Sequence, residues 1–131
     1  MTNIHQAKGS IPAGSDANML YSILTAPPDQ DLEIVTLNMR GGDSGEHIRF
    51  WICPPNTTNG TTPNSGSGMY TIYYGEGIGG EGTQQNPICP NRLPRSSFIG
   101  AVIPRGWRLM ISSPTAQTLA FHGSALCIVR R

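Results

Sequence analysis

Proline and glycine set the limits on what this chain can fold into. Sixteen Gly and eleven Pro are spread through 131 residues, and each proline both removes a backbone donor and clashes with a helical turn before it. That density leaves no credible helix, and only 13% of the residues are charged. What lies between the breaks is a series of short runs in which apolar and polar side chains alternate, the spacing of strands with one face buried.

The run EHIRFWICPPN is the clearest. Ile48, Phe50 and Ile52 point one way and His47, Arg49 and Trp51 the other, until Pro54 and Pro55 end the strand. A first strand is expected around Met19 to Leu24, stopped by Pro27 and Pro28. In DLEIVTLNMRGG the spacing puts Val35, Leu37 and Met39 on one face and Ile34, Thr36 and Asn38 on the other, with a turn at Gly41 and Gly42. Met69 to Tyr74 form another strand, with Tyr70, Ile72 and Tyr74 on one face. Then come Phe98 to Ile103, a turn at Pro104 to Gly106, and a strand in which Trp107, Leu109 and Ile111 alternate with Arg108, Met110 and Ser112. In the closing run Leu119 and Phe121 share a face, as do Ala125, Cys127 and Val129, with Gly123 marking a bend or bulge.

Seven or eight strands without a helix predict an all-β fold, an antiparallel two-sheet β-sandwich of jelly-roll type. Residues 1–16 are small, polar and interrupted by Pro12 and Gly14, which reads as an extended N-terminal arm; residues 17–131 form a single β-sandwich domain. TTNGTTPNSGSG, residues 57–68, contains no apolar side chain and is expected to be a solvated loop. A second, long loop runs from Gly75 to Arg95.

Within that loop Gly77, Gly79 and Gly82 spell G-x-G-x-x-G after a strand-like run, the order of a dinucleotide site. Such a site needs a helix whose amino end receives the phosphates. Here Pro87, Pro90 and Pro94 prevent one, Glu76 and Glu81 would repel an anion, and no Lys follows as in a P-loop. The glycines therefore make a loop, and no nucleotide is expected.

Other functions are excluded on similar grounds. The net charge is +1 and the longest basic run is Arg130 with Arg131, so no direct nucleic-acid contact is expected. The opening residues lack the apolar core of a signal peptide, and no window approaches the roughly eighteen apolar residues that span a bilayer. No membrane role is expected, and the protein should stay where it is made or leave inside something larger. Three cysteines, an odd number, fit a reduced compartment better than a disulfide framework. Cys53 and Cys89, with His47 or His122, lack the C-x-x-C spacing of a zinc knuckle, so free thiols are expected and no metal or other cofactor. His5, His47 and His122 are the only imidazoles; the last two lie on strands, Asp29, Asp31 and Glu33 sit at a turn, and neither G-x-S-x-G nor H-E-x-x-H occurs. No catalytic site is assigned, and the chain is not expected to be an enzyme.

The order MLYSI with APP, EIVTLNM, HIRFWICPP, MYTIYYGEGI and AVIPRGWRLMISSPTAQTLAFHGSALCIV resembles small jelly-roll virion proteins of tailed bacteriophages. The matching positions are Leu20 and Tyr21, Leu37 and Asn38, Tyr70 and Tyr73, Pro104, Gly106 and Leu109, and Phe121 and Gly123, over roughly residues 17–129. The resemblance implies a non-enzymatic capsid decoration or cement protein in the virion, assembled in the host cytoplasm, whose partner is the major capsid protein of a phage head. A small tail or fibre subunit shares the fold.

Several strands carry apolar residues on both faces, as Trp51 does beside Phe50, Tyr73 beside Ile72, and Met110 between Leu109 and Ile111. The expected partner contacts are therefore Trp51, Tyr73 and Trp107, buried against identical subunits in a dimer or trimer or against a capsid surface, with Ile4 and Ile11 of the arm laid along a neighbour. The alternative is that loops of the same chain cover these aromatics. In a carbohydrate-binding jelly roll Trp51, Trp107, Tyr73 and Tyr74 would instead stack on sugar rings.

Overall fold

The computed structural model describes residues 3–41, 48–63, 68–75, 101–114, 116, 118 and 120–130. Eight strands are present among them: β1 (Ile4–Ile11), β2 (Tyr21–Thr25), β3 (Leu32–Gly41), β4 (Ile48–Cys53), β5 (Tyr70–Gly75), β6 (Val102–Ile103), β7 (Arg108–Ser112) and β8 (Phe121–Val129). They form two four-stranded sheets, one ordered β1-β8-β3-β6 and the other β2-β7-β4-β5, hereafter sheets A and B. The pairs β4–β5, β3–β6, β2–β7 and β1–β8 are nested along the chain and all antiparallel. A doubled ribbon rolled into two layers in this way is the jelly roll, as the sequence predicts.

Between the layers lies one apolar core, including Ile11, Leu32, Ile34, Leu37 and Met39 from one side and Ile48, Phe50, Ile52, Leu109 and Ile111 from the other. The faces expected for β4 and β7 are those observed. In β3 the expectation needs correcting, because Ile34 is buried with Leu37 and Met39 while Val35 is 38% exposed. A register shift between Ile34 and Thr36 is the cause. One extra residue at a bulge reverses the alternation, so a strand with apolar residues on both parities buries Leu32 and Ile34 before Val35 and Leu37 and Met39 after it.

The amino-terminal segment is extended, but it belongs to the sandwich. Ile4 through Ile11 pair residue by residue with Ile128 through Phe121, and Ile11 is only 2% exposed. The small residues that make this segment look unfolded serve a close packing. Gly9 lies opposite Gly123, and a Cβ on Gly9 would run into the Ser22 carbonyl oxygen and lie 3.1 Å from the Ile23 Cα on the facing sheet. Gly123 is likewise no bend: β8 runs unbroken past it, and a Cβ there would lie 3.2 Å from the Ile23 Cδ1. The two glycines let the sheets approach at the β1–β2 corner.

The turn at Pro104 to Gly106 is present, closed by the Trp107 N–H on the Pro104 carbonyl at 2.9 Å. Asp31 braces it, accepting from the Arg105 backbone N–H at 2.8 Å. That bond, aided by the guanidinium, holds the Asp31 carboxyl below its ordinary pKa. Gly42 of the expected turn, residues 76–100 with their glycine motif, His47, Cys89 and Leu119 lie outside the described residues.

Candidate functional site

In a sandwich the surfaces open to another molecule are chiefly the outer faces of the two sheets. On sheet B the outward residues include Trp51 and Cys53 of β4 and Met110 of β7. They form a second apolar cluster with Leu20 and Met69. The cover is the chain itself. Leu20 and the loop after β4 exchange two backbone bonds, Leu20 N–H to the Thr61 carbonyl at 2.9 Å and Gly60 N–H to the Leu20 carbonyl at 2.8 Å. Arg108 Nη1 donates to the Thr57 carbonyl at 2.8 Å, and the Asn59 side chain accepts from the Ser22 N–H at 2.9 Å.

Of the loop expected to be solvated, Thr58, Asn59, Gly60 and Thr62 are exposed as expected, while Thr57 is only 5% exposed and residues 57–61 are tied down by these bonds as a strap, or lid, beside Leu20. Trp51 is 8% exposed, and its indole N–H donates to Ser112 Oγ at 2.8 Å. This overturns the expectation that Trp51 awaits a partner: the same chain covers it and satisfies its one polar atom. Cys53, in this cluster, and Cys127, in the central core, are free thiols, each pushed up to about 11 by burial. The covered face is as dry as the core.

Sheet A has no such lid among the described residues. Four outward rows cross it: Ile4, Ile128 and Glu33; Gln6, Leu126 and Thr36; Lys8, Ser124 and Asn38; Ser10 and His122. Glu33 continues the first row to Val102 of β6. Ile4 is 57% exposed and Val35 and Ile128 are each 38% exposed. These three, with half-buried Leu126 and Val102, gather apolar side chains at one end of the face. At the other end Ser10 Oγ and His122 Nδ1 are 2.8 Å apart.

The structure therefore separates the residues expected to meet a partner. Ile4 is exposed on sheet A, Ile11 is in the core, Trp51 is under the lid, and Trp107 is half-buried against the core. Tyr73 lies on β5 opposite Phe50. Val35 and Ile128 were not expected, because alternation alone sends Val35 inward; no local signal marks it, since the bulge that turns it outward is set by pairing with β8.

His122 lies on the outer face of sheet A and Cys53 on that of sheet B, so the geometry does not bring these two together as metal ligands. His5 turns inward opposite Cys127. Its Nε2 is shielded and without a hydrogen-bond partner among the described residues. No helix among those residues is long and apolar enough to cross a membrane.

No protein-family model and no curated protein matches the sequence. The fold is similar to that of a chain in the Cyanophage Pam1 capsid asymmetric unit, with a TM-score of 0.56 and 9% sequence identity, over 98% of this chain and 86% of that one. At that identity the likeness is one of fold, and it extends across β1 as well as the rest of the sandwich.

Proposed function

We propose that this chain is a non-enzymatic structural protein of a phage virion, a decoration or cement protein that binds the head shell through the outer face of sheet A. The observation that carries the reading is the exposure of Ile4, Val35 and Ile128 on one sheet face, whereas the outward Trp51, Cys53 and Met110 of sheet B are buried in a cluster of this chain. The fold likeness to a chain of a phage capsid supports the choice of a virion partner.

Covering three partly exposed aliphatic side chains contributes only a few kcal/mol, at about 25 cal/mol per Å². Single contacts of that strength hold through repetition on a symmetric shell. No bond is made or broken, and the protein adds to shell strength by bridging its neighbours.

The test uses phage heads stripped of this protein. Wild-type chain should rebind at a fixed copy number per head, and the triple variant I4S/V35S/I128S should lose binding by more than tenfold while keeping its fold. Equal binding by that variant overturns the assignment of sheet A. A copy number matching the tail, with none on heads, would identify a tail or fibre subunit instead. The sugar-binding reading loses its main platform, since Trp51 lies under the lid with its N–H already bonded, and a glycan array should show no binding.

A further inference from the structure

Sheet edges in natural proteins are protected, because a bare edge offers a row of unpaired N–H and C=O groups to any other strand. In this molecule the edges differ. β6 is two residues long, and β5 pairs with β4 through a register shift. β2 is broken by a register shift between Ser22 and Leu24, and the Asn59 side chain already takes its Ser22 N–H. β1 has none of these devices: it runs eight residues with no Pro and one charge, Lys8, and pairs with β8 without a bulge. Its other side pairs with no described strand.

We infer that two copies of this chain join edge to edge through β1, antiparallel about a two-fold axis, with Ala7 opposite the partner's Ala7. The axis of such a pair stands perpendicular to the sheet, so the outer face of one copy continues into that of the other and opposed residues share a face. Some residue must then oppose its own copy. Centring on Lys8 sets two ammonium groups against each other. Centring on Gln6 sets Lys8 against the partner's Ile4 and shortens the ladder.

Centring on Ala7 engages seven of the eight residues of β1, Ile4 through Ser10. Lys8 then faces the partner's Gln6, whose amide oxygen accepts from the ammonium, and His5 faces the partner's Gly9. Main-chain hydrogen bonds supply the affinity, as in other cases of strand addition. The union leaves Ile4, Val35 and Ile128 of both copies on one continuous surface, which doubles the shell contact.

Gln6 and Lys8 are both exposed in the single chain, so their charge can be changed without disturbing the fold. In sedimentation velocity the purified full chain should show a concentration-dependent dimer, with a Kd on the order of micromolar. Q6K sets a new ammonium against the partner's Lys8 twice per dimer and should raise Kd about tenfold. Q6K/K8E turns the same contacts into ion pairs and should restore it. A chain that stays monomeric to about millimolar concentration, a dimer indifferent to Q6K, or a Q6K defect that K8E does not repair would each overturn the inference. No phage heads enter this assay, so its outcome is independent of the shell-binding test.

Discussion

The two outer faces of this sandwich begin from similar sequence and end differently. Both are built of strands with apolar residues on each parity, yet sheet B is closed over by Leu20, Met69 and the loop after β4, while sheet A leaves Ile4, Val35 and Ile128 open. A short chain has only so much loop to spend. Where it covers a face, the large aromatic there becomes core; where it does not, mid-sized aliphatics remain for another molecule. The size of an apolar side chain is thus a poor guide to its role as an anchor, and the position of the loops is a better one.

The largest expected effect comes from breaking the covered face. Trp51→Ala removes the central ring of the second cluster and leaves Ser112 Oγ without its donor, and should cost about 3–5 kcal/mol of unfolding free energy in urea titration. A loss under 1 kcal/mol would mean that the lid does not pack on the ring as described.

Next is the dryness of the covered face and of the central core. A thiol raised from its ordinary value to about 11 contributes stability that is fully present below about pH 9 and is lost as pH rises through 11, because the unfolded chain ionises first. Each thiol should account for on the order of 2–3 kcal/mol across that window. At pH 8 both should react slowly with a disulfide reagent. Leu20→Ala, which thins the cover of sheet B alone, should speed labelling of Cys53 and leave Cys127 unchanged; equal acceleration at both would mean that the lid and the core open together.

Smaller again is the corner where β1 meets β2. Gly9→Ala drives a methyl into the Ser22 carbonyl, which is backbone and cannot rotate away, and should cost about 1–3 kcal/mol. Gly123→Ala meets the ends of the Ile23 and Ile111 side chains, which can shift, and should cost less. The reverse order in thermal melts would place the tight approach on β8 instead of β1.

Much of this fold is legible in the sequence. The proline-bounded run 48–53 gives β4 and both its faces, Pro104 to Gly106 gives the turn into β7, and the count of strand-like runs without a helix gives the two-sheet sandwich. What is not legible has a common cause: it depends on contacts between distant segments. Nothing local shows that a bulge at Val35 lets Ile34 and Leu37 share a face, because bulges are fixed by pairing with β8. A polar amino-terminal run becomes a strand because β8 offers it an edge and Gly9 fits against Ser22. Residues 57–61 look like solvated loop by composition, yet they are tied to Leu20, which packs with Trp51, by bonds to a segment distant in sequence.

The same limit governs the candidate surface. Ile4 is legible as an apolar residue in a polar segment, but its neighbours Ile128 and Val35 become a surface only once β1, β8 and β3 lie side by side. Removing them is where the smallest effect on stability is expected. Ile128→Ser on the open face should change unfolding free energy by about 1 kcal/mol or less, near the range of surface substitutions. An apolar side chain with 38% of its surface already in water loses less when it is made polar than one that is fully covered. The comparison with Trp51 is then a contrast of two apolar residues on outward faces, one costing several kcal/mol and the other about one or less. If Ile128→Ser instead destabilises the isolated chain by about 2 kcal/mol or more, sheet A has cover of its own, and the distinction between a face closed by the chain and a face left for a partner fails.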